Sequence, residues 1–327
     1  TFAAAGGGGF TGANRAAPLA ASSRHAIAVC DRLDHPAKRT NLPADRLAAL
    51  IAPEDLPACL RANAGGLEAV CHLGAISSTA ETDWERLRRD NIEATLWLWD
   101  WCAQEGVPLV YASSAATYGD GGSGFDDEFS MAALDRLQPL NPYARSKHET
   151  DRAIRRRLDA GGRAPPRWAG LKFFNVYGPH EAHKGEMRSI VCKLHEQIGA
   201  TGTARLFRSA RPDYADGGQL RDFIWVGDCV DVMLWFLDGD GASGLYNVGT
   251  GAPRSFLDAA RATFAAMERE PRIEFVDMPL SLRGKYQYYT RAETARLRAA
   301  GYRRPFTTLE EGVRHYVQDH LSRQDAP

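Results

Sequence analysis

Short apolar runs that end in small or polar residues alternate along this chain with longer stretches at helical spacing. AIAVCD (26–31), EAVCHLGA (68–75), VPLVYASS (107–114) and WAGLKFFNVYG (168–178) read as strands, and 54–63, 84–105 and 142–159 read as helices. Strands alternating with helices build βαβ units and hence a parallel sheet, whose ligands lie outside the carboxyl ends of the strands. Within DNIEATLWLWDWCAQEG, Asn91 reads as a cap and Gly106 as a stop. Trp97, Trp99 and Trp101 cannot share one helix face, so some are expected in the core and some at a subunit contact.

After residue 178 the alternation loosens. RSARPDYADGGQL (208–220) reads as a loop, DFIWVGDCVDVMLWFLDG (222–239) as a strand and helix, LYNVGTG (245–251) as a strand, and a helix is expected near 308–321. The pattern predicts a dinucleotide-binding body from 1–175 with about 222–250. A smaller C-terminal α/β substrate lobe would take about 176–221 with 251–327. A chain of 327 residues with 44% hydrophobic content has ample material for such a core.

Charge excludes some functions. The formal net charge is −1, so no basic excess points to nucleic acid. No run of about 18 apolar residues predicts a membrane span, and no secretory signal is expected. Cys30, Cys59, Cys71, Cys102, Cys192 and Cys229 form no CxxC pair and no zinc spacing. They read as reduced core residues of a cytoplasmic protein, and no metal is expected.

AGGGGFTGAN (5–14) sets Gly6, Gly9 and Gly12 at GxxGxxG spacing. Such glycines permit a tight turn and a close approach of backbone to a pyrophosphate. Asp31 ends the next strand about 20 residues on, where an acid can hold a ribose hydroxyl. These features predict a Rossmann-type doubly wound sheet that binds a dinucleotide. Arg32 and Lys38 beside Asp31 suit a 2′-phosphate and favour NADP over NAD; the other reading of them is a solvated basic face. Pro18 sits badly in the helix expected after the loop.

NPYARSK (141–147) places Tyr143 four residues ahead of Lys147, on one helix face. A phenol is a poor base at neutral pH, and a neighbouring ammonium favours its phenolate. Tyr143 could then take a proton from an alcohol as hydride leaves its carbon. Ser114, closing the preceding strand, could donate to the same oxygen.

With those motifs the chain resembles the extended short-chain dehydrogenases/reductases, and among them the ADP-L-glycero-D-manno-heptose 6-epimerases. HLGAISST (72–79), YASSAATYG (111–119), NPYARSK, FFNVYGPHEAHKGEM (173–187), LRDFIWVGD (220–228), YNVGTG (246–251) and RGKYQYYT (283–290) carry the resemblance. It implies an NADP-dependent, redox-neutral inversion at C6″ of an ADP-linked heptose, supplying heptose for lipopolysaccharide, in a homo-oligomer that is commonly a pentamer. Hydride would leave the sugar carbon, give a transient ketone and return to the other face. By the resemblance, Tyr143 serves one epimer and Lys184 the other; a second reading makes Lys184 a phosphate ligand. Phe10, Thr11, Asp31, Arg32, Lys38, Leu73, Gly74, Ala75, Ser77, Asn91 and Val176 match cofactor positions, as do Tyr143, Lys147 and Lys184. Ser114, Asn175, Lys193, Phe207, Arg208, Ser209, Arg221 and Tyr286 match substrate positions. Glu186 stands at another substrate position, where the family usually has a small residue; Lys193 stands where histidine is more usual. Arg221 suits a diphosphate through bidentate contacts, or an ion pair with Asp222.

Two other functions compete. Sugar-nucleotide 4,6-dehydratases typically carry an Asp-Glu pair after the strand-end serine or threonine, and here those places are Ala115 and Ala116. A UDP-hexose 4-epimerase lacks that pair too. A non-catalytic NADP-binding sensor could keep the glycine loop, but would not need Ser114, Tyr143, Lys147 and Lys184. His72 is expected to be a hydrogen-bonded structural residue. His180 and His183, flanking Lys184, lack a carboxylate partner at metal spacing.

Overall fold

The computed structural model describes residues 2–14, 26–42, 47–239, 241–280 and 286–324. Pro18 and the Arg283–Lys285 part of the RGKYQ segment lie outside them. In chain order the strands are β1 (Phe2–Ala5), β2 (Ile27–Cys30), β3 (Ala49–Ile51), β4 (Ala69–His72), β5 (Leu109–Ser114), β6 (Trp168–Phe173) and β7 (Asn175–Tyr177). Then follow β8 (Ala204–Phe207), β9 (Leu220–Arg221), β10 (Phe223–Trp225), β11 (Gly244–Val248), β12 (Arg254–Ser255) and β13 (Ile273–Val276).

Seven strands form one sheet in the order β11-β6-β5-β4-β1-β2-β3, and every pairing in it is parallel. Parallel sheets are covered on both faces, so their strands read as continuous apolar runs. All four residues of IAVC in β2 and of AVCH in β4 are buried. The chain steps outward from β1 to β3 and then returns to β4. That reversal leaves a crevice beyond the carboxyl ends of β1 and β4. Ala5 sits opposite both Cys30 and His72 there.

The helix Pro142–Asp159 starts as its sequence dictates. Asn141 accepts from Ala144 N at 2.9 Å, and proline takes the first turn, where no backbone donor is missed. The 84–105 stretch is helical but contains a π-helical turn at Arg88–Glu93, and Gly106 closes it at φ 71°. Trp99 and Trp101 are buried, while Trp97 is 36% exposed. The six cysteines are free thiols, and all but Cys59 are buried.

The 168–178 run is two strands rather than one. Phe174 N still bonds Val248 O at 3.0 Å, but β7 then leaves the main sheet to pair in parallel with β10. Strand β4 stops at His72, short of the expected 75, because Leu73 N and Gly74 N both turn onto Ala5 O, at 2.8 and 2.9 Å. The pairs β8–β13 and β9–β12 lie outside the main sheet. A separate apolar cluster, with Val191, Leu194, Phe223, Phe264, Val313 and Tyr316 among its members, packs that region. No described helix is long and apolar enough to cross a membrane.

Candidate active site

The glycine loop is a cradle that side chains would fill. Gly6 has φ 81°, and a Cβ on it would fall 2.3 Å from Gly74 N. A Cβ on Gly12 would fall 2.2 Å from Gly6 O, so the turn after β1 closes only with glycine there. Gly9 has more room, meeting only Gly6 O at 3.3 Å. These residues fit a dinucleotide pyrophosphate, with Gly74 of the β4 end packed beneath the turn.

Asp31 follows β2 and is fully engaged. It accepts from Gly8 N at 2.9 Å and from Lys38 Nζ at 3.1 Å. Lys38 also donates to Arg32 O at 3.0 Å, while the Arg32 side chain is exposed. The HKG loop leans over this end of the crevice. Asn41 Nδ2 donates to Gly8 O and His180 O, at 3.3 and 3.2 Å, and Asn14 Nδ2 to Pro179 O at 2.8 Å. The His183 ring lies 6.5 Å from His35. Burial, then Lys38 and Lys184, push His183 down to about 4. Asn14 and Asn41 carry no motif signal, because each acts through contacts distant in sequence.

At the β4 end, Asn91 is a clamp. Its carbonyl accepts from Ile76 N at 2.8 Å, and its amide donates to Ile76 O at 3.0 Å and Ser146 Oγ at 2.9 Å. With every polar atom engaged and no exposure, Asn91 shapes the strand-end loop of Leu73, Gly74, Ala75 and Ser77 instead of presenting a free group. His72 hydrogen-bonds as its sequence setting suggests. Thr95 Oγ1 donates to Asn91 O at 2.6 Å, so it accepts from His72 Nε2, 3.0 Å away. Nδ1 is then a buried acceptor without a partner. Burial first, then Lys147, push His72 down to about 3. The unfolded chain binds this proton near 6.5 and the folded one near 3, so stability is full above 6.5 and falls with pH below it. His72→Asn should flatten the acid side of a denaturation-versus-pH curve by about 3–5 kcal/mol. An unchanged slope between about pH 6.5 and 4 would contradict this assignment.

Ser114, Tyr143 and Lys147 come together. Burial raises the Tyr143 phenol, and a hydrogen bond with Ser114 opposes that rise. Ser114 Oγ also accepts from Ala116 N at 3.1 Å, capping the turn Ala115–Tyr118. Lys147 is 3% exposed and donates to Ala112 O at 2.7 Å. Burial brings its ammonium down to about 8, and Asp151 opposes the shift. Behind them lies a pair the motifs do not mark, Asp151 and Lys172, 3.4 Å apart and 0% and 1% exposed. The available signals were a lysine inside an apolar strand, WAGLKFF, and an acid one turn past Lys147.

Lys184 stands apart from this group. Its Nζ lies 4.7 Å from the centre of the Phe10 ring and 3.9 Å from Glu181 Oε2, and its side chain is 21% exposed. It faces the glycine loop, not bulk water. Glu181 is buried and accepts from Ser189 N, Ser189 Oγ and Tyr316 OH, at 2.6, 2.5 and 2.9 Å. It fastens the HKG loop to the helix Ile190–Thr201 and to Tyr316 near the C-terminus.

On the substrate side Arg221 is 7% exposed. Its guanidinium lies over Tyr286 at 5.2 Å and Phe256 at 5.5 Å, and Nη1 donates to Leu220 O at 2.9 Å. The ion pair with Asp222 does not form. Asp222 instead accepts from Thr250 N and Oγ1, Gly251 N and Ala292 N. Burial lowers Arg221, and no carboxylate offsets it. Phe207 packs on Tyr286 at 6.3 Å, whereas Arg208 pairs with Asp277 at 3.3 Å. Ser209 N donates to Asp216, folding the 210–219 loop back on itself. Asn175 is exposed and Val176 half-buried, at the start of β7. Glu186 and Lys193 bond each other at the surface, with the carboxylate 95% exposed. Thr11 is half-buried just past Phe10. Among the described residues, no cluster of His, Cys, Asp and Glu could hold a metal ion.

Known proteins are similar to this chain along almost its whole length. An ADP-L-glycero-D-manno-heptose-6-epimerase from Nitratidesulfovibrio vulgaris strain DP4 is 45% identical over 331 aligned positions, covering 98% of each chain. The crystal structure of the Helicobacter pylori enzyme of that name superposes with a TM-score of 0.77 at 24% identity, covering 97% of this chain and 95% of the other. A UDP-glucose 4-epimerase from Thermus thermophilus, solved with NAD, gives 0.74 at 25% identity, covering 98% of each. The profile of one family spans residues 4–249, the stretch that holds the cradle, the Ser–Tyr–Lys group and Arg221. This chain therefore belongs to the NAD dependent epimerase/dehydratase family.

Proposed function

We propose that this isomerase interconverts the C6″ epimers of ADP-glycero-D-manno-heptose, with NADP held in the glycine cradle throughout. The observation that carries the reading is the Ser114–Tyr143–Lys147 group followed by Ala115 and Ala116. It can exchange a proton at one alcohol and offers no acid/base pair there for eliminating water. The relatives' names supply the sugar and the nucleotide.

Gly6, Gly9 and Gly12 would hold the pyrophosphate, and Leu73, Gly74, Ala75 and Ser77 would line the floor. The bound cofactor supplies a reversible hydride acceptor. Tyr143 acts at the sugar hydroxyl as phenolate, and the Lys147 ammonium favours that form. Ser114 steadies the same oxygen. Once the sugar carbonyl is turned over, Lys184 serves as the second proton donor, with Glu181 holding it protonated against burial. Arg221 grips the diphosphate. Residues 1–175 with about 222–250 form the cofactor body in this reading, supported by β11 joining the main sheet. The lobe of about 176–221 with 251–327 brings the substrate.

NADP is preferred because Asp31 is already engaged by Gly8 N and Lys38. The carboxylate's charge is thereby balanced, while the exposed Arg32 is placed to meet a 2′-phosphate. Incubating the purified protein with ADP-D-glycero-D-manno-heptose should give a mixture of both epimers by NMR without net consumption of added NADPH. Calorimetry should show tighter binding of NADP than of NAD. Stoichiometric NADPH oxidation, or conversion of UDP-glucose but not of the ADP-heptose, would overturn the proposal.

A further inference from the structure

We propose that the buried Asp151–Lys172 pair is a positioning device for proton transfer. It ties the helix bearing Tyr143 and Lys147 to the strand end bearing Ser114, and it sets a counter-charge facing Lys147. The inference rests on the reading of Tyr143 and Lys147 as the proton-handling pair.

Tyr143, Lys147 and Asp151 are spaced i, i+4 and i+8, so they line one face of the helix Pro142–Asp159. Asp151 accepts from Tyr111 OH at 3.2 Å and Ser113 Oγ at 2.7 Å, both on β5, and faces Lys172 Nζ on β6 at 3.4 Å. Lys172 Nζ donates to Thr117 Oγ1 at 2.7 Å and lies 4.5 Å from the centre of the Tyr118 ring. Thr117 Oγ1 donates in turn to Ser114 O at 2.8 Å. A continuous chain of contacts thus runs from the helix through both charges to the carbonyl of Ser114. Lys147 closes the loop through Ala112 O at 2.7 Å.

Stability alone does not account for such a pair. Taking both charges out of water costs more than their attraction commonly returns, and apolar residues of the same volume often serve a core as well. What apolar residues cannot supply is the field. The cluster holds two cations, Lys147 and Lys172, around one anion. Asp151 keeps Lys147 protonated despite its burial, and an ammonium one helical turn from Tyr143 favours the phenolate.

The tyrosines and histidines facing the pair are neutral at about pH 8, whereas Asp127 is ionised there and faces Lys172. Burial raises Tyr111 and Tyr118 well above the ordinary phenol range, so both stay protonated. On the same helix, burial lowers His148. His72, facing Lys147 from β4, is down at about 3. Asp127, which faces Lys172 from the loop after the Ala115–Tyr118 turn, is pushed up to about 6 by burial.

Asp151→Asn removes the negative charge beside Lys147 and so disfavours its ammonium. The alkaline limb of the kcat–pH profile should move down by at least about one pH unit. Turnover at about pH 8 should fall at least about fivefold, with KM for the ADP-sugar within about threefold. In the cofactor-free protein, NMR titration of the Lys147 side chain should show the same downward shift. The Asp151→Asn/Lys172→Met double variant removes the Asp151–Lys172 pair as a unit, without leaving Lys172 unpaired, and should show the same lowered limb, while Lys172→Arg, which keeps Asp151 and its partner cation, should retain the parent limb. A folded Asp151→Asn protein whose alkaline limb and Lys147 titration match the parent overturns the proposal. So does failure of both neutral variants to fold, which would assign the pair to stability. If Tyr143→Phe kept full turnover, the underlying reading would fail instead.

Discussion

Tyr143→Phe should leave the protein folded and its cofactor bound, and lower turnover by about 10²–10⁴-fold. The ring is kept, so packing against the cleft is kept. Only the oxygen that meets the sugar hydroxyl is lost, and with it the hydrogen bond to Ser114 that moderates the phenol. Because the missing interaction matters at the transition state, the loss should fall on kcat rather than on KM. Lys184→Met should also lower turnover by about 10²-fold, if it is the second proton donor. The two variants should then differ in direction: each should retain more of the half-reaction served by the other residue, in single-turnover experiments started from each pure epimer. Lys184 lies against Phe10 and Glu181, so its removal leaves the Ser114–Tyr143 hydrogen bond in place. Near-normal turnover in the double variant would dismiss the two-donor scheme.

The fold was legible because parallel strands declare themselves. IAVC, AVCH and LVYASS are apolar along their length, and each is followed by small or polar residues where the crevice opens. The break between β6 and β7 was not legible. Phe173 and Phe174 carry no turn chemistry and Asn175 alone is a weak signal, and the change of partner from β11 to β10 is decided by contacts far along the chain. The Ser–Tyr–Lys group was readable from a strand end and an i, i+4 pair. Asn91 was readable as a site residue, yet its amide is used up on Ile76 and Ser146; a motif gives a position, and only the fold shows which atoms remain free. Glu181 and Asn41 were not readable, since each works through a partner on another element; Lys172 and Asp151 left a signal each, a charge in an apolar strand and an acid one turn past Lys147, but not their pairing.

Arg221 offers a test in which two effects have opposite signs. Its guanidinium is buried and held by two aromatic faces and one backbone carbonyl, with no carboxylate paired to it among the described residues. Burying a charge without a counter-charge is destabilising, and aromatic faces offset only about 0.5–2 kcal/mol of that. A diphosphate would supply the missing anion through charge-assisted, bidentate hydrogen bonds. Arg221→Met keeps much of the volume and removes the charge. It should stabilise the ligand-free protein by about 1–2 kcal/mol, seen as a higher melting temperature. It should also weaken binding of ADP and of the ADP-sugar by about 2–4 kcal/mol, roughly a 30- to 1,000-fold loss by calorimetry. The loss should be much smaller for a nucleoside without phosphates, because only the anion contact is gone. Arg221→Lys should recover part of the affinity but not its full value, since an ammonium cannot grip two phosphate oxygens in one plane. A variant that melts lower and still binds ADP normally would place Arg221 in the packing of Tyr286 and Phe256 and remove the diphosphate from this pocket.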